Sequence, residues 1–201
     1  MIIFVTDRKI GASDFLERIE AVAEASPDMI ILREKDLSEE EYGRLAAECE
    51  RICRRHDVRF CVNSFIRVAY SVNNGRIQVP FGTLTENGAR LNGFEEVWVS
   101  VHSLSEAVDA EAAGATHLIY GNVFETSCKP GADGKGREEL RSVCKTVGIP
   151  VFAIGGINAG TAGAVIADGC SGVCVRSLFM TSRNPGADME TLRKEIGLKT
   201  C

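Results

Sequence analysis

The feature that most constrains this chain is an alternation kept from one end to the other. Short, nearly continuous apolar runs are separated by longer amphipathic stretches. The runs are Ile2–Val5, Met29–Leu32, Arg59–Val62, Arg76–Gln78, Val97–Val101, His117–Tyr120, Val151–Ile154 and Gly172–Val175. Apolar runs of this length without polar alternation suit parallel strands covered on both faces. The stretches near 14–25, 39–54, 65–72, 86–91, 104–113, 137–146, 159–167 and 187–196 carry helical spacing. Their ends agree: Ser38 with Glu41 and Ser103 with Glu106 have capping-box spacing, and Gly114 and Gly148 stand where C-terminal caps belong.

Strand–helix units repeated through 201 residues predict an α/β fold: a compact single-domain (β/α)8 TIM barrel over residues 1–201, near the lower size limit of that fold. A doubly wound open sheet is the competing architecture. Its G-x-G-x-x-G fingerprint is missing after the first run, where Thr6–Gly11 offers one glycine. No linker, low-complexity segment or second domain is visible.

The formal charge of −5 argues against a nucleic-acid partner, whose phosphate backbone needs a basic field. No apolar run approaches the ~20 residues of a membrane span. The chain opens on a strand-like run rather than on a basic, then apolar, leader. A cytoplasmic protein is expected. Of the eight cysteines, Cys49, Cys53, Cys61, Cys144, Cys170 and Cys174 fall in apolar or helical stretches and read as reduced core residues. With no CxxC pair and only His56 near Cys49 and Cys53, a zinc ligand set is lacking. Cys128 differs in lying on a polar loop, and Cys201 in ending the chain.

In a (β/α)8 barrel the residues just past each strand converge on one face, where ligands bind. The site candidates among them are Arg33, Lys35, Asn63, Ser100, His102, Asn122, Glu125, Thr126, Cys128, Lys129, Gly155, Gly156, Arg176 and Ser177. Gly155-Gly156 opens a helix after the seventh run, and Arg176-Ser177 follows the eighth. Those two loops form the common phosphate site of such barrels, through backbone N–H groups and a helix N-terminus. Arg33 and Lys35, two apart at a strand end, point to one side and suit a carboxylate or a second phosphate. Histidine is the side-chain type suited to proton transfer near neutral pH, which makes His102 a candidate acid–base. Lys129 and Glu125 are further polar candidates by position. His56 and His117 read as structural or solvated.

The motifs resemble the thiamine-phosphate synthase/TenI superfamily across almost the whole chain. Ile31-Leu-Arg-Glu-Lys-Asp36 is similar to its Gln-Leu-Arg-Glu-Lys-Asp segment, and Val62-Asn63 to Ile-Asn-Asp. Val99-Ser-Val-His-Ser103 is similar to Ser-x-His-Ser/Thr, and Ala153-Ile-Gly-Gly-Ile157 to its phosphate loop. The resemblance implies a (β/α)8 barrel, and a homodimer as a possible assembly.

Two branches differ in chemistry. Synthases join a pyrimidine diphosphate to a thiazole phosphate and release pyrophosphate, using magnesium held by two aspartates. The positions matching those aspartates are Ser64 and Thr83. The TenI-type tautomerases aromatise a carboxythiazole phosphate without metal. Their patterns are similar to Ile77-Gln-Val-Pro80, Ser100–Val108 and Val123-Phe-Glu-Thr-Ser-Cys-Lys-Pro-Gly131. The catalytic histidine of their Gly-His-Val-Phe motif corresponds to Asn122.

The expectation drawn from this is a metal-independent, cofactor-free thiazole tautomerase acting on a phosphorylated thiazole or thiamine-related molecule. His102 or Lys129 would move the proton and Asn122 would position the substrate. Arg33, Lys35, Asn63, Ser100, Glu125, Thr126 and Cys128 would bind it, with the phosphate on Gly155, Gly156, Arg176 and Ser177. The alternatives are a thiamine-phosphate synthase and a non-catalytic thiazole- or thiamine-phosphate binder.

Overall fold

The structure, a computed structural model, describes residues 1–11, 14–72, 75–124 and 136–197. Its strands are β1 (Ile2–Val5), β2 (Met29–Leu32), β3 (Arg59–Asn63), β4 (Arg76–Pro80), β5 (Glu96–Val101), β6 (His117–Tyr120), β7 (Val151–Ile154) and β8 (Gly172–Val175). The helices that follow them are α1 (Phe15–Glu24), α2 (Glu39–Arg55), α3 (Ile66–Val72), α4 (Phe81–Leu91), α5 (Leu104–Ala112), α6 (Arg137–Thr146) and α7 (Ala159–Ala167). After β8 come two, α8 (Ser177–Thr181) and α9 (Pro185–Glu195). Every strand pairs in parallel with the next, and β8 returns to β1 through Ile3 opposite Cys174, so the sheet closes. The fold is the expected (β/α)8 barrel, and the open-sheet alternative is excluded.

The strands read as continuous apolar runs because both of their faces are buried. Ile3, Val5, Met29, Ile31, Cys61, Trp98, Ile119, Phe152 and Cys174 point inward and fill the barrel. The residues alternating with them, such as Phe4, Ile30, Val62, Val99 and Tyr120, face the helices and build the larger outer core. The capping boxes expected from sequence form in part. Ser38 and Glu41 cap α2 reciprocally, whereas Ser103 caps α5 through the Glu106 N–H while Glu106 itself accepts from the His102 N–H at 2.6 Å.

The end of the barrel where the strands begin is sealed. Trp98 stacks on His117 at 4.0 Å and packs against Phe152 at 4.8 Å. The Trp98 indole donates to Glu96 at 2.9 Å, and Glu96 is paired with Arg59 and Arg76. His117 thus has a structural place, and its burial pulls its pKa below the usual histidine value.

At the opposite end polar groups enter the interior. Four of the six buried polar residues described, Thr6, Glu34, Asn63 and Gln78, lie on or just past the ends of β1 to β4. Here the pattern of apolar runs stops before the strands do: β3 continues to Asn63 and β4 to Pro80. α4 begins directly at Phe81, five residues earlier than its amphipathic stretch suggests. Asn87 leaves the helical region (φ −127°, ψ 18°), so only the second half carries the expected spacing. α8 was not expected from sequence, its five residues being too few for a periodic signal. Among the described residues no helix is long and apolar enough to cross a membrane.

Candidate functional site

A cavity of about 430 Å³ opens at the C-terminal ends of the strands, a volume typical of small-molecule sites. Its floor is apolar: Val5, Ile31, Ile119, Ile154 and Cys174 close the barrel beneath it. Its described walls bring three cations, Arg33, Lys35 and Arg176, and no carboxylate. A flat apolar ring suits the floor, and anions suit the rim.

The β-alternation at the end of β2 decides which charges face inward. Arg33 and Lys35 line the cavity, as their spacing predicts. Glu34 between them turns away and is 2% exposed. It accepts from the Thr6 hydroxyl at 2.6 Å and from the Arg8 N–H at 3.1 Å to each oxygen. The Thr6 hydroxyl also accepts from the Arg33 N–H at 2.9 Å. This knot fixes the backbone that presents Arg33. Burial, more than these hydrogen bonds, sets the Glu34 pKa, which is raised.

Arg33 is pressed the other way. Burial and then the nearby Arg176 lower its pKa, with Asp7 and Glu34 partly offsetting them. A guanidinium keeps its charge regardless, so the site holds two cations in repulsion across a half-buried space. Asp7 offsets Arg176 from 3.6 Å. An anion between Arg33 and Arg176 relieves that repulsion.

A row of amides crosses the mouth from β3 to β5. Asn63 Nδ2 donates to Gln78 Oε1 at 2.5 Å, and Gln78 Nε2 donates to Ser100 Oγ at 2.9 Å and to the Val79 carbonyl at 3.0 Å. All three side chains line the cavity. Asn63 is held from behind, where the buried Tyr42 hydroxyl donates to the Leu32 carbonyl at 2.5 Å and accepts from the Asn63 N–H at 2.9 Å. Gln78 is the binding-surface residue missed as a candidate. Its sequence signal was present: one amide between the apolar Ile77 and Val79 of β4.

His102 also lines the cavity. Its Nδ1 lies 2.6 Å from the Gly121 carbonyl. A carbonyl only accepts, so Nδ1 carries the hydrogen and Nε2 is the atom left to meet a ligand. Asn122 shares the wall, but an amide does not exchange a proton near neutral pH. Beside it, Gly155 has φ +105°, and a Cβ there would come within 2.9 Å of Asn122 Cα and 3.1 Å of the Val123 N–H. Glycine is therefore required by close approach as well as by conformation. Gly155 and Gly156 lead into α7, capped by Asn158 through the Gly160 N–H at 2.8 Å.

The structure brings ten of the expected residues to this one cavity: Arg33, Lys35, Asn63, Ser100, His102, Asn122, Gly155, Gly156, Arg176 and Ser177. Glu125, Thr126, Cys128 and Lys129 lie outside the described residues. Ser64 and Thr83, matching the metal-holding aspartates of synthases, bring no carboxylate and do not line the cavity. Magnesium favours carboxylate oxygens in near-octahedral array, so the described residues do not fit that ion. Among the described residues, the grouping close enough to share a metal is Glu20, Glu24 and His56. It lies at the far ends of α1 and α2, on the sealed side of the barrel.

Residues 2–179 match the family model described as "Thiamine monophosphate synthase". The chain is 33% identical over 193 residues to the thiamine-phosphate synthase of Pyrococcus abyssi, covering 96% of this chain and 92% of that one. It is 32% identical over 182 residues to that of Clostridium acetobutylicum, covering 89% and 86%. The solved structure of thiamine phosphate pyrophosphorylase from Pyrococcus furiosus superposes with a TM-score of 0.83 at 30% identity, covering 98% and 95%. These similarities overturn the expectation of a tautomerase, since they join the whole chain to proteins named as synthases.

Proposed function

The chain belongs to the thiamine monophosphate synthase family, and from that premise we propose that it is an enzyme joining a pyrimidine diphosphate to a thiazole phosphate with release of pyrophosphate. One observation carries the reading: an apolar-floored cavity ringed by the cations Arg33, Lys35 and Arg176. Both substrates are aromatic rings bearing phosphates, and the lining is complementary to each part.

In this reading the bond between the pyrimidine's carbon and the diphosphate oxygen breaks as the thiazole bonds to that carbon. Negative charge gathers on the departing diphosphate. Arg33 and Lys35 meet it as fixed cations, which is the largest contribution a site of this kind makes. The thiazole's phosphate lies against Gly155, Gly156, Arg176 and Ser177, whose glycines allow backbone N–H groups to approach it. The Asn63–Gln78–Ser100 row orients the ring between them. The apolar floor excludes the water that would otherwise capture the pyrimidine carbon. His102 Nε2 accepts a hydrogen bond from a substrate polar group.

The test is direct. Purified protein supplied with both substrates and magnesium releases pyrophosphate in step with thiamine phosphate. The absence of carboxylates at Ser64 and Thr83 favours one rival, a binder without turnover. Micromolar binding of the thiazole phosphate with no pyrophosphate release would select it. The cytoplasmic setting and the homodimer stay with this proposal, and sedimentation of the purified chain tests the latter.

A further inference from the structure

Cys144 and Cys170 stand apart from the other cysteines described. Their sulfurs lie 3.8 Å apart, one on α6 and the other on the turn between α7 and β8. Cys144 is half-buried, whereas the other described cysteines are buried. The approach is held by more than the two thiols. Arg137, Arg141 and Cys144 follow each other at i, i+4 and i+7, forming one stripe along α6. Asp168, two residues before Cys170, takes 2.6 Å bonds from Arg137 Nε and Arg141 Nη2. Between Asp168 and Cys170, Gly169 has φ +106°, and a Cβ there would come within 3.1 Å of Cys144 Cβ. Ion pairs, a turn that admits only glycine, and the two sulfurs thus hold the turn on α6 in one register.

We propose that Cys144 and Cys170 form a modification site, a dithiol that a hydroperoxide oxidises to a disulfide joining α6 to the turn before β8. This goes beyond the proposed transfer reaction and does not depend on it. The Cys144 thiolate attacks the outer oxygen of the peroxide, the O–O bond breaks, and the alcohol or water leaves, giving a sulfenic acid. The Cys170 sulfur then attacks the Cys144 sulfur. The S–O bond breaks, the S–S bond forms, and the hydroxide leaves as water with the second thiol proton. Two thiols lose two electrons and one peroxide gains them. Closing the sulfurs from 3.8 Å to the roughly 2 Å of a disulfide takes side-chain rotation and a small shift of the turn.

The electrostatics assign the order of attack. The hydrogen bond from Cys170 lowers the Cys144 pKa, outweighing burial, while the Cys170 pKa is raised by the same bond and by burial. The thiolate is the reactive form. Cys49, Cys53, Cys61 and Cys174 are fully enclosed, and burial raises the pKa of each. Among the described cysteines, oxidation is thereby directed to Cys144.

The experiment is peroxide treatment of the folded, reduced full chain, followed by intact mass and a non-reduced digest. The expected result is loss of two hydrogens, a Cys144 peptide joined to the Cys170 peptide, and reversal by dithiothreitol. In Cys170→Ser the same treatment leaves Cys144 as a sulfenic acid that a cyclic 1,3-diketone traps, and Cys49→Ser leaves the linkage intact. Linkage of a different pair, or persistence of both thiols while the circular dichroism stays native, overturns the proposal. The wild-type map decides alone if a variant fails to fold.

Discussion

Arg33 carries its charge where burial and a second guanidinium oppose it. The hydrogen bonds around the buried Glu34 explain how the chain tolerates this. Arg33 is fixed from behind through Thr6 and Glu34, so its cost is met by the fold before any ligand arrives. Arg33→Ala is therefore expected to weaken binding of inorganic pyrophosphate about 30-fold by calorimetry, the loss of one charge-assisted contact of ~2 kcal/mol. Arg33→Lys should restore only part of it, because a compact ammonium lacks the guanidinium fork. Tyr42 acts at the same scale but through the backbone. Its hydroxyl ties the ends of β2 and β3, which deliver Arg33 and Asn63. Tyr42→Phe strands a buried carbonyl and a buried N–H, and should cost about 2 kcal/mol in urea unfolding. An unchanged midpoint would show that the clamp contributes nothing.

At the scale of elements, α6 shows how an outer helix is docked by charge. Burial works to raise the Asp168 pKa, but the hydrogen bonds from Arg137 and Arg141 prevail and hold it below the usual carboxylate range. A lowered folded pKa gives stability that is present above the unfolded value near 4 and lost as pH falls through the folded value. Asp168→Asn is expected to lower Tm by about 5 °C at pH 7, after discounting for the half-exposed arginines. The gap between variant and wild type should shrink below pH 4. A gap constant with pH would sink the ion-pair account. The same element marks the limits of sequence reading. Eight strands and the helices between them were legible because burial writes period and run length into the chain. What escaped lay where function interrupts burial. Asn63 and Pro80 end their strands at the mouth, so the apolar runs closed early. Gln78 was read as the last residue of one such run, and α8 was too short to carry a period.

Across the whole molecule, charge is sorted by position. The chain is acidic by five charges, yet the described lining of its mouth is cationic only. The motif residues at the strand ends were legible because the barrel's topology makes sequence position equivalent to place. The branch of the family was not. Three short motifs, at Ile77–Pro80, Ser100–Val108 and Val123–Gly131, pointed one way, while similarity spread over the chain pointed the other. The sorting of charge has a consequence that separates this mouth from one built on aspartates. Three cations in a half-buried space attract a multiply charged anion without help, and adding a divalent cation increases their repulsion unless a carboxylate offsets it. Pyrophosphate titrated in EDTA is therefore expected to bind within about threefold of its affinity in millimolar magnesium, after correction for the magnesium–pyrophosphate complex in solution. Its affinity should fall with added salt, as a cation-lined mouth requires. Tenfold weaker binding in EDTA, with salt having little effect, would mean that a metal anchored by oxygen ligands, rather than Arg33, Lys35 and Arg176, holds the diphosphate.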